Sequence, residues 1–258
     1  MKKNLLFIAF AIFMFQIQAQ ENYKVIRVNG QILNTKTNSN LQTGSIFKDN
    51  DELSFSNSSS RAAVVNSKGR YVLQANNNRN AYAKAFLTPA MSNMSSRSGA
   101  IVNQMDLEKH FSGNYLIFNI EKIKVNKDNF PMNEQKFFYI RYQYKGEKIN
   151  KRLSFNADSL ILNQKELMTV DGKPIPNPDI TEMKLFYLDG KTSALIGDFN
   201  PVFVKDDELK EEVKIVLETI KTKSKKEKIE EILSYINDFY GKPNKENLTT
   251  WIEENFDL

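Results

Sequence analysis

The chain has 258 residues, with 36 Lys and Arg against 31 Asp and Glu, one His and no Cys. The lack of Cys excludes disulfides, thiol nucleophiles and thiolate metal ligands, and the single histidine, His110, excludes a site built on two. Charges of both signs are interspersed, so the clustered basic stripe that nucleic acid needs is missing, while 18 Phe and 10 Tyr supply the apolar area for packed cores.

In chain order, the first element is an export signal. Met1-Lys2-Lys3-Asn4 is a short positive start, Leu5–Phe15 is an uncharged apolar run, and Ala19 is a small residue at a cleavage position. The run is near half the ~20 apolar residues of a spanning helix, so residues 1–19 read as a signal peptide and no transmembrane span is expected after cleavage. Removal of Lys2 and Lys3 lowers the formal net charge from +5 by two. Without Cys, lipid attachment at a cysteine is excluded. The mature chain is expected in the periplasm or outside the cell.

Residues 22–75 carry several short strand patterns separated by turns, which points to a small β barrel or sandwich. Tyr23–Val28 and Gln31–Leu33 flank Asn29-Gly30, the strongest short hairpin signal, because a type I′ turn needs positive φ at both positions. Ala62–Val65 and Arg70–Leu73 form a second hairpin around Ser67-Lys68-Gly69. The pattern Val25-x-x-Val28-x-Gly30, Leu41-Gln42-Thr43-Gly44, Asp51-Glu52-Leu53-Ser54-Phe55, Ala62–Val65 and Gly69–Leu73 resembles the FecR-like β domains of Gram-negative envelope proteins. It departs from them at Ser45, where they usually carry an acidic residue. The resemblance covers about 50 residues, implies an envelope location and a binding or scaffold role, and brings no catalytic residues with it.

Residues 76–112 are rich in Asn and Ser and read as a polar linker, with a short helix near Val102–Phe111. Residues 113–204 return to strands. Phe138, Ile140, Tyr142 and Tyr144 alternate with Phe137, Tyr139, Arg141 and Gln143. Lys145-Gly146 and Asp189-Gly190 mark hairpins. About seven short strands suit an immunoglobulin-like β-sandwich without its Cys and Trp hallmarks. Residues 205–258 form a helical tail, with apolar stripes at Leu209, Val213, Val216, Leu217 and Ile220, at Ile229–Tyr240, and at Leu248, Trp251, Ile252 and Phe256. The expected fold class is therefore mainly β with amphipathic helices at the C-terminus.

No motif carries catalysis. Asp49-Asn50-Asp51-Glu52 opens like a calcium loop but lacks the glycine at the sixth position and the distal Glu. Asp206, Asp207 and Glu208 suit the positive end of a helix. Asp179 and Glu182 have no evident partner, and Ser98-Gly99 lacks the frame of a nucleophile turn. Asp158-Ser159-Leu160 matches a bacterial O-glycosylation sequon. Lys221, Lys223, Lys225, Lys226 and Lys228 could touch an anionic membrane surface. The candidate binding surface is drawn from Phe137, Tyr139, Tyr142, Tyr144 and Trp251. No cofactor and no metal is expected. The first functional reading is a non-enzymatic scaffold or interaction module that binds another envelope protein. The alternatives are a carbohydrate or peptidoglycan-fragment binding module, recognised by exposed Tyr139, Tyr142 and Tyr144, and a hydrolase with an unfamiliar site.

Overall fold

The computed structural model describes residues 21–75, 82–86 (backbone only), 101–176 and 180–258. The signal-peptide reading, Ser98-Gly99 and Asp179 lie outside the described residues. The fold is mainly β with helices at the C-terminal end, in two units, Met1–Phe86 and Leu87–Leu258.

The first unit contains β1 (Asn22–Asn29), β2 (Ile32–Asn34), β3 (Ser39–Asn40), β4 (Ile46–Lys48), β5 (Leu53–Phe55), β6 (Arg61–Asn66), β7 (Gly69–Ala75) and β8 (Tyr82–Phe86). They form a five-stranded sheet ordered β4-β1-β6-β7-β8 and a three-stranded sheet ordered β3-β2-β5, as in a sandwich rather than a closed barrel. Tyr23, Val25, Phe47, Val64 and Leu73 of the larger sheet meet Ile32 and Leu53 of the smaller one in a single core.

The hairpin around Ser67-Lys68 pairs β6 with β7, but Asn29-Gly30 closes no hairpin. β1 pairs with β4 and β6, whereas β2 pairs with β3 and β5. The turn instead moves the chain from one sheet to the other. It needs glycine because a Cβ at Gly30 would lie 2.5 Å from Ser60 Oγ, at φ +79°.

The second unit opens with α1 (Gln104–His110), β9 (Asn114–Ile117), β10 (Ile120–Lys124), β11 (Lys136–Tyr144), β12 (Glu147–Arg152), β13 (Ser154–Asn156), β14 (Ser159–Asn163) and α2 (Gln164–Leu167). It continues with β15 (Thr169–Val170), β16 (Lys173–Pro174), β17 (Met183–Asp189), β18 (Thr192–Phe203), α3 (Asp206–Thr219), α4 (Lys225–Tyr240), β19 (Lys242–Pro243) and α5 (Lys245–Asn255). The segment read as a linker, 76–112, thus contains β8 and α1. Lys145-Gly146, both at positive φ, joins β11 to β12. After Leu153 the chain leaves the six-stranded sheet β12-β11-β17-β18-β9-β19 for the three-stranded sheet β10-β14-β13. Phe138, Ile140 and Tyr142 of β11 join Leu160, Leu162, Leu185 and Phe199 in the core of this sandwich.

The six-stranded sheet departs from immunoglobulin topology at one end, where β9 runs parallel to both β18 and β19. β19 comes from the C-terminal stretch, so the helical tail belongs to the same unit as the strands. Side chains cap four of the five helices among the described residues. Asn103, Asn163 and Asn244 accept backbone N–H bonds, and Ser224 and Glu227 form a capping box. The remaining helix, α3, has Asp206, Asp207 and Glu208 in its first turn, where they oppose the helix dipole. Fully buried Glu212 of α3 accepts bonds of 2.7 Å from the hydroxyls of Tyr235 and Tyr240 on α4.

Gly241 lies between α4 and β19 as the C-cap of α4. A Cβ there would meet Asn114 O at 2.4 Å, at φ +113°. Gly241→Ala should therefore destabilise the full chain by roughly 2–4 kcal/mol, from backbone strain plus a clash with backbone that cannot move aside. Gly190→Ala, with nothing within 4 Å, should cost only the strain. Urea midpoints of the two variants check this, and equal losses would contradict it.

Candidate functional site

Alternation along β11 sends Phe138, Ile140 and Tyr142 inward and Phe137, Tyr139 and Arg141 to the other face of the six-stranded sheet. The register adds Arg152 of β12 and Phe186 of β17, both directly opposite Tyr139. Phe186 in turn lies opposite Leu195 of β18. Tyr139 and Phe186 stack with centroids 5.0 Å apart and planes 7° from parallel. The Arg141 guanidinium lies 4.5 Å from the Phe186 centroid, and that of Arg152 lies 4.3 Å from Phe137. Tyr139 shares a 2.6 Å hydrogen bond with Ser193. Leu195 is 47 % exposed, Phe137, Arg141, Phe186 and Leu188 are half-buried, and Tyr139, 8 % exposed, is buried among them. Rings and guanidinium groups thus pack together on one face, with Tyr139 and Phe186 stacked and Phe137 inclined at 61° to Tyr139, and they are the residue types that carry protein interfaces.

The other candidate surface residues sit elsewhere. Tyr142 is 2 % exposed and its hydroxyl donates to Leu167 O at 2.7 Å; burial pushes its pKa up to about 12. Tyr144 is half-buried and packs against the core. Trp251 is buried edge-on against Phe118 and donates from Nε1 to Asp206 Oδ1 at 2.7 Å. Tyr139, Tyr142 and Tyr144 therefore do not form one concave platform, because alternation puts Tyr139 on the opposite face from the other two. Arg141, Arg152, Phe186 and Leu195 are the members that sequence alone missed. The β11 alternation already placed Arg141 beside Tyr139, but Phe186 needed the register between β11 and β17.

His110 has a partner at close range. Its Nε2 lies 3.0 Å from the Tyr115 hydroxyl, which donates to Glu121 Oε2 at 2.9 Å. Glu121 Oε1 accepts the Phe118 N–H at 3.0 Å. Burial raises the Glu121 pKa to about 8, against the lowering effect of those two bonds. Burial, aided by the nearby Lys242 charge, lowers that of His110 to about 4. Tyr115 and Glu121 are sealed in the interior, so this chain of groups ties α1, β9 and β10 together.

The remaining polar candidates are similarly occupied. Asp51 is buried, and its carboxylate accepts bonds from Lys48 N, Asn34 and Lys36, so it braces a turn. The Lys48 bond leads the effects that hold its pKa below the usual range. Among the described residues no group of three His, Asp or Glu could hold a metal ion. Ser159 is buried in β14, with its hydroxyl on Asp158 Oδ1 at 3.0 Å. Glu182 pairs with Lys184. In the lysine cluster, Lys223 pairs with Glu231 and Lys225 with Glu253. A cavity of about 590 Å³, with Lys151, Arg152 and Lys165 around apolar Leu153, Ile161 and Leu167, lies beside α2. No helix among the described residues is long and apolar enough to cross a membrane.

Comparison with known proteins finds no matching family model, no matching curated protein and no matching solved structure.

The buried chain of groups makes stability depend on pH in two opposing ways. Glu121 has a raised folded pKa, so its contribution is fully present below about 4.5 and is lost as pH rises through about 8. His110 has a lowered folded pKa, so its contribution is present above about 6.5 and is lost as pH falls towards about 4. Glu121→Gln should match the parent protein at pH 4.5 and exceed it at pH 8.5. Denaturant unfolding across this range tests the sign, and parallel pH curves for the two proteins would contradict it.

Proposed function

We propose that this chain is a non-enzymatic exported envelope protein that binds another envelope protein through the open face of its six-stranded sheet. One observation carries the reading: Phe137, Tyr139, Phe186, Arg141 and Arg152 pack against one another, with Tyr139 and Phe186 stacked, beside the exposed Leu195. Aromatic residues and Arg are enriched in the energetic centres of protein interfaces, and a layer already held in place loses little side-chain entropy on binding. The arginines cover ring faces that a sugar would need for stacking, which favours a protein over a carbohydrate. The signal-peptide pattern and the FecR-like pattern of residues 23–75 support an envelope location and a binding role. Against a hydrolytic reading, the groups best arranged to move a proton, Tyr115 and Glu121, are sealed from substrate.

A photo-crosslinking residue at Leu195, with a second at the exposed Lys226 as control, tests this in the native envelope. The expected outcome is one discrete protein adduct from position 195, abolished by Phe186→Ser, and none from position 226. Adducts from position 226 alone, or from neither position, would count against the reading.

A further inference from the structure

The cations on the open face differ in how they are satisfied. Arg152 pairs with Glu134 at 3.1 Å and Lys184 with Glu182 at 3.4 Å. Arg141 has no carboxylate partner among the described residues. Its Nε donates to Asn150 Oδ1 at 2.8 Å and its Nη2 to the Tyr139 hydroxyl at 3.3 Å. A guanidinium carries five N–H donors, so those of Nη1 and the second of Nη2 are left over. The group is half-buried and fixed by these two bonds and by the Phe186 ring. It is thus immobilised before any ligand arrives.

We propose that Arg141 is a carboxylate receptor, binding an Asp or Glu side chain from an extended acidic segment of the partner protein. This rests on the reading of the open face as the docking surface. The Nη1–Nη2 edge matches the two oxygens of a planar carboxylate, so two parallel hydrogen bonds form at once. Preorganisation removes most of the rotamer entropy that a free arginine side chain would lose. Arg141 lies opposite Asn150 and Lys184, with Phe186 against its guanidinium, and apolar surface continues along the same face through Leu195, opposite Phe186, and the Phe137–Leu188 pair. A polypeptide can cover that surface with side chains flanking the acidic one, and a small inorganic anion cannot. Asn150 and Tyr139 have a positioning role: they aim the guanidinium without touching the ligand.

The test uses the full mature chain and a synthetic peptide of about eight residues alternating Glu and Val, with a Gln-and-Val peptide and inorganic phosphate as comparisons. The readouts are the Arg141 Nε–H signal in the parent protein and, for the parent and both variants alike, the backbone amide shifts of Tyr139, Asn150 and Phe186 in a nitrogen-resolved NMR titration, from which the affinities are taken. The expected result is a saturable shift with the Glu peptide, about tenfold weaker binding in Arg141→Gln, and a loss nearly as large in Arg141→Lys, which keeps the charge but not the paired donors. Raised salt should weaken the binding only modestly, because the pair forms against a partly desolvated ring layer. Thermal unfolding of both variants, unchanged from the parent protein, keeps misfolding out of the comparison. No saturable shift, equal binding by Arg141→Gln, or equal binding of the Gln peptide or phosphate would overturn the proposal. If crosslinking from position 195 still captures a partner in that case, the docking face stands and only the carboxylate receptor falls.

Discussion

Strand β9 is the constraint on which the second unit depends. Tyr115, Leu116 and Ile117 are all buried, and the strand has parallel neighbours on both sides. Parallel neighbours cannot be joined by a tight turn and require a crossover. The chain from β18 to β19 makes that crossover through α3 and α4, and α4 packs on β9 and β19. Tyr115 and Ile117 point into the sandwich core, while Leu116 points to the opposite face. The helices therefore cover the β9 end of the outer face and leave the β11 and β17 end open. The working face in the proposed function is the part of the sheet that the crossover does not reach.

Much of this architecture was legible because it is written in local pattern. The strict alternation in β11 assigned its two faces, the Lys145-Gly146 turn marked its hairpin, and most residues of the apolar stripes of α3 to α5 are buried, with Leu217, Ile220, Ile229 and Phe256 half-buried. Asn29-Gly30 carries the same local signal as a hairpin turn but serves a change of sheet, because the role of a turn depends on which strands lie nearby to pair. Such pairing is a long-range property, and the β19–β9 contact, joining residues more than a hundred positions apart, is the extreme case.

Strand β10, Ile120-Glu121-Lys122-Ile123-Lys124, has its two isoleucines on opposite faces; Glu121 and Ile123 are each 2 % exposed, whereas Ile120 is 56 % exposed. The cost of burying the carboxyl is offset by the Tyr115 hydroxyl and the Phe118 N–H and by the upward shift of its pKa. Tyr115 and Phe118 stand six and three residues before Glu121, but no periodic pattern in the sequence pairs them with it. The candidate site shows the same division: Phe137, Tyr139 and Arg141 follow from alternation on one strand, whereas Phe186, Leu195 and Arg152 enter only through register. Tyr142 and Trp251 were attractive as exposed aromatics, but each uses its polar atom to tie down a buried ring.

Because the helices are woven into the sheet by β19, strands and helices should open together rather than in turn. Native-state hydrogen exchange measures this directly. The slowest amides of β9, of Phe138–Tyr142 in β11 and of Ile232–Ile236 in α4 should share one opening free energy and one denaturant dependence. Exchange of the α4 amides through a smaller, separate opening, with β9 still protected, would contradict the claim that crossover and sandwich form a single cooperative unit framing one open face.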